Sequence, residues 1–196
     1  MSIRNLWRQL RHRPDFFRDP MEGQMTPEER RTLYEIVRKE RPETVFEIGT
    51  WKGGGSTYIL SSALYHNCRG ILYTIESMRE FYEHSITLYD KTFRFLKPCV
   101  RFHFGNSIEV YPAILEKIEK VDVLFLDGAE DDQQTLKEYR LFESKLHRGS
   151  IVMCHDWKTL KTKAIRPIFT DVETWEPFVL LEGGPTGFAA FRRTAV

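Results

Sequence analysis

The 196-residue sequence has only three cysteines, Cys68, Cys99 and Cys154, scattered and without metal-ligand spacing. That excludes a disulfide scaffold and a cysteine-built metal centre, and makes a reduced, cytoplasmic setting the expectation. No apolar run approaches the ~20 residues of a membrane span. The basic N-terminus lacks the apolar core of a signal peptide. Neither charge sign is in excess: 29 Lys and Arg face 28 Asp and Glu, a net charge of +1. Without a global basic field, nucleic acid is not an expected partner. There is no internal repeat and no low-complexity tract. What is present is a 41% hydrophobic chain, enough for one domain that buries roughly 70% of its unfolded surface.

The chain is organised around Val45-Phe46-Glu47-Ile48-Gly49-Thr50-Trp51-Lys52-Gly53-Gly54-Gly55-Ser56-Thr57. A short apolar run carries an acid, a glycine-rich turn follows, and Tyr58, Ile59, Leu60, Ala63 and Leu64 open a helix. Strand, glycine turn and helix make a ligand crevice at the carboxyl end of an open α/β sheet. The glycines admit close backbone approach, and the helix start offers unpaired N–H groups. This loop is expected to bind a nucleoside-containing cofactor. Glu76 ends the next apolar run and lies 76 − 53 = 23 residues past Gly53. That is near the distance at which a second-strand carboxylate reaches a ribose diol. A dinucleotide fingerprint read from Gly49 needs a glycine at 51, where this chain has Trp51. The acid two residues before Gly49 would repel a pyrophosphate and suits a cofactor with a free amino group.

The remaining elements alternate. Thr26-Pro27-Glu28-Glu29 carries a capping-box signal for a helix that ends at Arg41-Pro42. Strands are expected at about 44–48, 71–75, 100–104, 121–126 and 151–154. Helices are expected between them, one from about Met78 to Leu96 and another with Leu136, Tyr139, Phe142 and Leu146, closed by Gly149. The near-continuous apolar run from Val121 to Leu126 reads as a central parallel strand buried on both faces. A basic loop (Lys158, Lys161, Lys163, Arg166) and a short helix around 165–173 precede two last strands, about 178–182 and 187–192, around a Gly/Pro turn. The expected fold is α/β: a Rossmann-like, doubly wound, mostly parallel seven-stranded sheet with a C-terminal antiparallel hairpin.

Through Glu47-Ile48-Gly49…Gly53, Glu76, Phe125-Leu126-Asp127-Gly128 and His155-Asp156, over roughly residues 43 to 193, the sequence resembles the class I S-adenosylmethionine-dependent methyltransferases. Within them it is most similar to the metal-dependent catechol and caffeoyl-CoA O-methyltransferases and their macrocin-methyltransferase and cephalosporin-hydroxylase-like relatives. The resemblance implies that Glu47 binds the methionyl amino group, directly or through water. Gly49 and Gly53 give backbone approach, Ser56 meets the carboxylate, and Glu76 takes the ribose hydroxyls. Asn106 or Ser107 touches the adenine, or caps the following helix. The acceptor is then a small hydroxylated metabolite.

Asp127 ends the fourth strand and His155-Asp156 the fifth, so neighbouring parallel strands about 4.8 Å apart bring these acids together. Two carboxylates there repel unless protonated, paired with a base or bridged by a cation. Asp127, His155 and Asp156 are the candidate ligands of a divalent ion, Mg or Mn, that would help an acceptor hydroxyl lose its proton. Relatives have an acid where this chain has His155, at a similar interval of 155 − 127 = 28 residues. The competing reading is that Asp127 meets only the cofactor and Asp156 pairs with Arg166 or Lys158. Asp127 and Glu130 are the candidate catalytic residues. Glu130 stands where relatives place a Lys or His base, within an acidic run that otherwise reads as a solvated helix start. Trp51 and Trp157 are candidates for the pocket or the core.

Residues 1–25 form a separate basic amphipathic arm, with Ile3, Leu6, Trp7 and Leu10 on one helical face and Arg4, Arg8, Arg11, Arg13 and Arg18 between apolar residues. It packs on its own domain or a symmetry mate (a homodimer), caps the substrate pocket, or lies on a membrane surface. Residues 26–196 are the methyltransferase-like domain. Three further readings stay open: a non-methylating member of the fold, a dinucleotide enzyme, and a partner subunit with a decayed site.

Overall fold

The computed structural model describes residues 12–14, 16, 25–184 and 186–195. The arm's apolar face, Ile3 to Leu10, lies outside the described residues, as do Arg4, Arg8, Arg11 and Arg18. Helix α1 spans Pro27–Glu40. It starts with a complete capping box: Glu29 N–H donates to Thr26 Oγ1 at 3.2 Å and Thr26 N–H to Glu29 Oε2 at 2.7 Å. Then follow β1 (Thr44–Ile48), α2 (Ser56–Asn67), β2 (Ile71–Glu76), α3 (Arg79–Lys91), β3 (Val100–Phe104), α4 (Ser107–Leu115), β4 (Val121–Leu126), α5 (Asp132–Glu143), β5 (Leu146–His155), β6 (Trp175–Leu181) and β7 (Phe188–Arg193).

The seven strands form one sheet in the order β3-β2-β1-β4-β5-β7-β6. β1 to β5 are mutually parallel, and β7 runs antiparallel to both β5 and β6. The strand order reverses between β1 and β4, so their carboxyl ends flank the crevice of a doubly wound sheet. Helices bury both faces. Val45, Leu72, Val123, Phe125, Ile151 and Met153 pack on the side of α1 and α2. Phe46, Ile48, Ile75, Leu124, Leu126 and Val152 pack on the side of α4 and α5. No described helix is long and apolar enough to cross a membrane.

Three element expectations differ from the structure. Leu146 and Gly149 open the ten-residue β5 rather than close a helix. Leu146 falls at helical spacing after Phe142, yet it pairs with Val121 across a register shift in the β4–β5 ladder. The helix expected to reach Leu96 stops at Lys91, and a 3₁₀ turn at Lys97–Cys99 with Pro98 leads into β3. The short helix near 165–173 is a 3₁₀ turn, Arg166–Thr170.

Candidate functional site

Strand register assembles the site. Ile48 pairs with Ile75 on one side and with Leu126 on the other, and Leu126 pairs with Cys154. The next residue on each strand is therefore Gly49, Glu76, Asp127 or His155, four residues far apart in sequence at one rim of the sheet. Side chains alternate between faces along a strand. Glu47, Asp127 and His155 thus share the α1/α2 face with Val45, Phe125 and Met153. The two central loops touch: a Cβ built on Gly49 (φ +99°) would stand 2.7 Å from Gly128 Cα.

A cleft of about 460 Å³ opens at this rim, lined among others by Gly49, Trp51, Ser56, Glu76, Asp127 and Asp156, the size of a small-ligand site. Glu76 Oε2 accepts from Trp51 N–H at 2.7 Å and Oε1 from Met78 N–H at 2.8 Å, so two backbone donors fix the carboxylate at the cleft wall. Trp51 lines the cleft beside Phe81, their rings 6.1 Å apart. Gly55 caps α2 without a side-chain hydrogen bond. Ser56 and the first turn of that helix therefore offer the cleft their N–H donors. Met25, the last residue of the arm region, also lines it.

An adjoining hollow is lined by Glu76, Gly105, Asn106, Ser107, Gln134 and Glu138, with Glu130 at its edge. Asn106 caps α4 through Ile108 N–H (2.9 Å). Ser107 lines the hollow and donates to Glu138 Oε1 at 2.8 Å. Glu138 escaped the sequence reading. It is 3% exposed, and its Oε2 has no hydrogen-bond partner, leaving a buried acceptor beside a nucleoside-sized hollow. Its signal in the sequence is an acid at helical spacing with Thr135, Tyr139 and Phe142, the other buried residues of α5.

Two loop residues lie elsewhere than expected. Gly53 packs against α3, where an added Cβ would meet Ser85 Cβ at 2.9 Å. It shapes the turn and lines neither hollow. Glu47 is fully buried beneath the loop. Its Oε2 accepts from Thr57 and Thr74 hydroxyls, each at 2.7 Å, so it ties the start of α2 to β2. Burial pushes its carboxyl up to about 7, against the opposing pull of the Ser56, Thr74 and Thr57 hydroxyls. A carboxyl raised on folding stabilises the fold fully below its unfolded value. That contribution fades as pH rises toward about 7. Glu47→Gln is therefore expected to remove on the order of 3 kcal/mol of pH dependence between about pH 4.5 and 7. Paired thermal melts of both proteins across that range check it, and parallel melting curves would contradict it.

At the floor of the cleft the acids meet cations. Asp127, His155 and Asp156 each present a ligand atom within 4.8 Å of the others. His155 is 1% exposed. Its Nδ1 lies 3.2 Å from Asp127 Oδ1 and 3.4 Å from Asp156 Oδ1, and its Nε2 lies 3.7 Å from Glu29 Oε2. Burial alone would lower its pKa, but Asp127, Glu29 and Asp156 raise it to about 10. Lys161 Nζ lies 3.1 Å from Asp127 Oδ1 and 3.0 Å from Asp156 Oδ2. Asp156 thus pairs with Lys161 and His155 rather than Arg166 or Lys158. Lys158 instead holds the Glu182 and Gly184 carbonyls, and Arg166 packs on Thr162. Trp157 belongs to the core, its ring 5.0 Å from Phe191. Glu130 is exposed at the rim, whereas Asp131 caps α5.

Known proteins match this arrangement. A family model described as a methyltransferase domain covers residues 46–157. No curated protein matches the sequence. Among solved structures, an SAH complex of an O-methyltransferase from Bacillus cereus superposes with a TM-score of 0.72 at 18% identity, covering 88% of this chain and 84% of that one. The Streptomyces achromogenes O-methyltransferase TomG, involved in tomaymycin synthesis and bound to SAM, gives 0.73 at 17% identity, covering 100% and 91%. The SAH-bound Podospora anserina methyltransferase PaMTH1 gives 0.65 at 16%, covering 97% and 86%. The sheet order, the rim built by its register and the family match over more than half the chain lead to one assignment: the chain belongs to the methyltransferase-domain family and has the Rossmann-like methyltransferase fold.

Proposed function

We propose that the protein transfers the methyl group of S-adenosylmethionine to a hydroxyl of a small metabolite. The observation that carries this is the meeting, in one cleft, of the Glu76 carboxylate and the Asp127/Asp156 pair. The first suits a ribose diol and the second suits a hydroxyl that must lose its proton. Neighbours of the same fold that are O-methyltransferases support the reading. When bound, the cofactor supplies an electrophilic methyl whose C–S bond breaks, the pair going to sulfur, as the acceptor oxygen forms the O–C bond.

The chain's own residues do the rest. Glu76 holds the ribose, Ser56 and the start of α2 receive the methionyl carboxylate, and Gly49 and Gly128 let backbone approach. Ser107 and Glu138 face the purine, where Glu138 Oε2 suits an exocyclic amine. Asp127 or Asp156 takes the acceptor proton at a carboxylate oxygen and passes it to solvent. Holding the reactants in line supplies a large part of the rate.

A divalent cation, where relatives bind one, lowers the acceptor's pKa and positions its oxygen. The donors here do not fit that ion. His155 Nδ1 already lies against Asp127 Oδ1 and Asp156 Oδ1, and the Lys161 ammonium already bridges Asp127 Oδ1 and Asp156 Oδ2, the place between the two acids that a cation would take. Glu130, exposed at the edge of both hollows, is left as a contact for the acceptor rather than the base.

The test is a panel of phenols, catechols and sugar hydroxyls incubated with S-adenosylmethionine and read by mass spectrometry. A product heavier by one methyl on oxygen supports the reading. Methylation confined to nitrogen or carbon acceptors would replace it.

A further inference from the structure

Lys161 sits in the 3₁₀ turn Leu160–Thr162 that follows β5, five residues past Asp156 and thirty-four past Asp127. Its Nζ donates to three oxygens: the Asp127 carbonyl at 2.8 Å, Asp127 Oδ1 at 3.1 Å and Asp156 Oδ2 at 3.0 Å. An ammonium has three donors and no acceptor. All three are used, and the side chain is only 13% exposed. We propose that Lys161 is the built-in cation of this methyltransferase site, a positioning residue that occupies the place between Asp127 and Asp156 where a divalent ion would bind.

The placement is held from several directions. Thr159 N–H and Oγ1 both donate to the Asp156 carbonyl at 2.9 Å, and Thr162 Oγ1 donates to the Trp157 carbonyl at 2.8 Å. Asp156 takes a left-handed backbone conformation (φ +57°). This is costly for a residue other than glycine and persists only where the surroundings over-determine it. The Thr159 bonds hold the Asp156 backbone, and its carboxylate lies against Lys161 Nζ and His155 Nδ1.

Distance excludes both occupants together. Magnesium needs oxygen ligands at about 2.1 Å and dehydrates reluctantly, whereas the ammonium stands about 3 Å from the same two carboxylates. A metal shared by Asp127 and Asp156 would have to expel Lys161 and break its three hydrogen bonds. Nor is Lys161 the base, since each donor is already engaged and no lone pair faces the cleft. It holds the two carboxylates side by side at the cleft, where one of them can meet the acceptor hydroxyl. The inference rests on the methyl-transfer reading for the role of the cleft, but the exchange of lysine for metal is read by metal binding alone.

The experiment titrates Mn²⁺, by calorimetry and by electron paramagnetic resonance, into the metal-stripped protein and into Lys161→Ala. In parallel, S-adenosylhomocysteine is titrated in EDTA and in Mn²⁺. The expected result is no Mn²⁺ binding below millimolar concentration in the unmodified protein, and S-adenosylhomocysteine affinity that is the same in both buffers. Lys161→Ala is expected to gain Mn²⁺ affinity by roughly tenfold or more, because removing the ammonium leaves two carboxylates that seek a cation. Micromolar Mn²⁺ binding by the unmodified protein overturns the proposal. So does a Lys161→Ala variant with native circular dichroism and no gain. If that variant does not fold, the Mn²⁺ titration of the unmodified protein decides alone. Absent S-adenosylhomocysteine binding in every buffer would instead strike at the methyltransferase reading and leave the metal result standing.

Discussion

Glu76→Ala is expected to weaken S-adenosylhomocysteine binding by roughly 10- to 100-fold. One charge-assisted hydrogen bond to a ribose diol sets the scale, worth about 1.5–3 kcal/mol when its partner is left unsatisfied. The carboxylate is 8% exposed and is already aimed by the Trp51 and Met78 N–H groups, so little ordering cost remains to be met on binding. The same substitution frees those two donors and loosens the loop between β1 and α2, which places it at the upper part of the range. Glu76→Gln keeps the shape and loses the charge, and is expected to fall between the two. Calorimetric titration reads all three proteins, and unchanged affinity in Glu76→Ala would remove the residue from the cofactor site.

The largest effect on stability is expected from Gly49→Ala. At φ +99° an L side chain is strained, and the new Cβ would stand 2.7 Å from Gly128 Cα and 2.9 Å from its nitrogen. Backbone atoms cannot move aside as a flexible side chain can. Strain of about 1–2 kcal/mol and overpacking of about 1–3 kcal/mol add to about 4 kcal/mol. At about 2–4 °C per kcal/mol for a chain of this size, the melting temperature falls by about 10 °C. Gly149 separates the two causes. It has φ +96° but nothing within 4 Å of its Cβ position, so Gly149→Ala is expected to cost only the strain, about 1 kcal/mol. Equal losses in the two variants would show that the Gly49–Gly128 contact is not the source.

Much of this architecture is legible in the sequence because it rests on local signals. The Thr26/Glu29 capping box, the apolar run from Val121 to Leu126 and the glycine turn after Ile48 each specify their element without help from elsewhere. The strand ends alone bring Asp127 and His155 together, and the register of β1, β4 and β5 gives the reason. What escaped depends on tertiary context. Leu146 satisfies a helical spacing and a strand pairing equally well, and the ladder with Val121 decides. Gly53 and Gly49 look alike in the loop, yet one packs on Ser85 and the other faces Gly128. Glu138 is one acid among several in α5. Lys161 is one of four basic residues in a loop, and only the folded turn shows which of them reaches the carboxylates.

The glycine loop and Glu76 carry the central claim, so the most direct measurement is a calorimetric titration of S-adenosylhomocysteine, and separately of NAD, into the unmodified protein. Low-micromolar binding of S-adenosylhomocysteine, lost in Glu76→Ala, with no heat from NAD, is the expected result. Tight NAD binding with none for S-adenosylhomocysteine would contradict the assignment of this cleft.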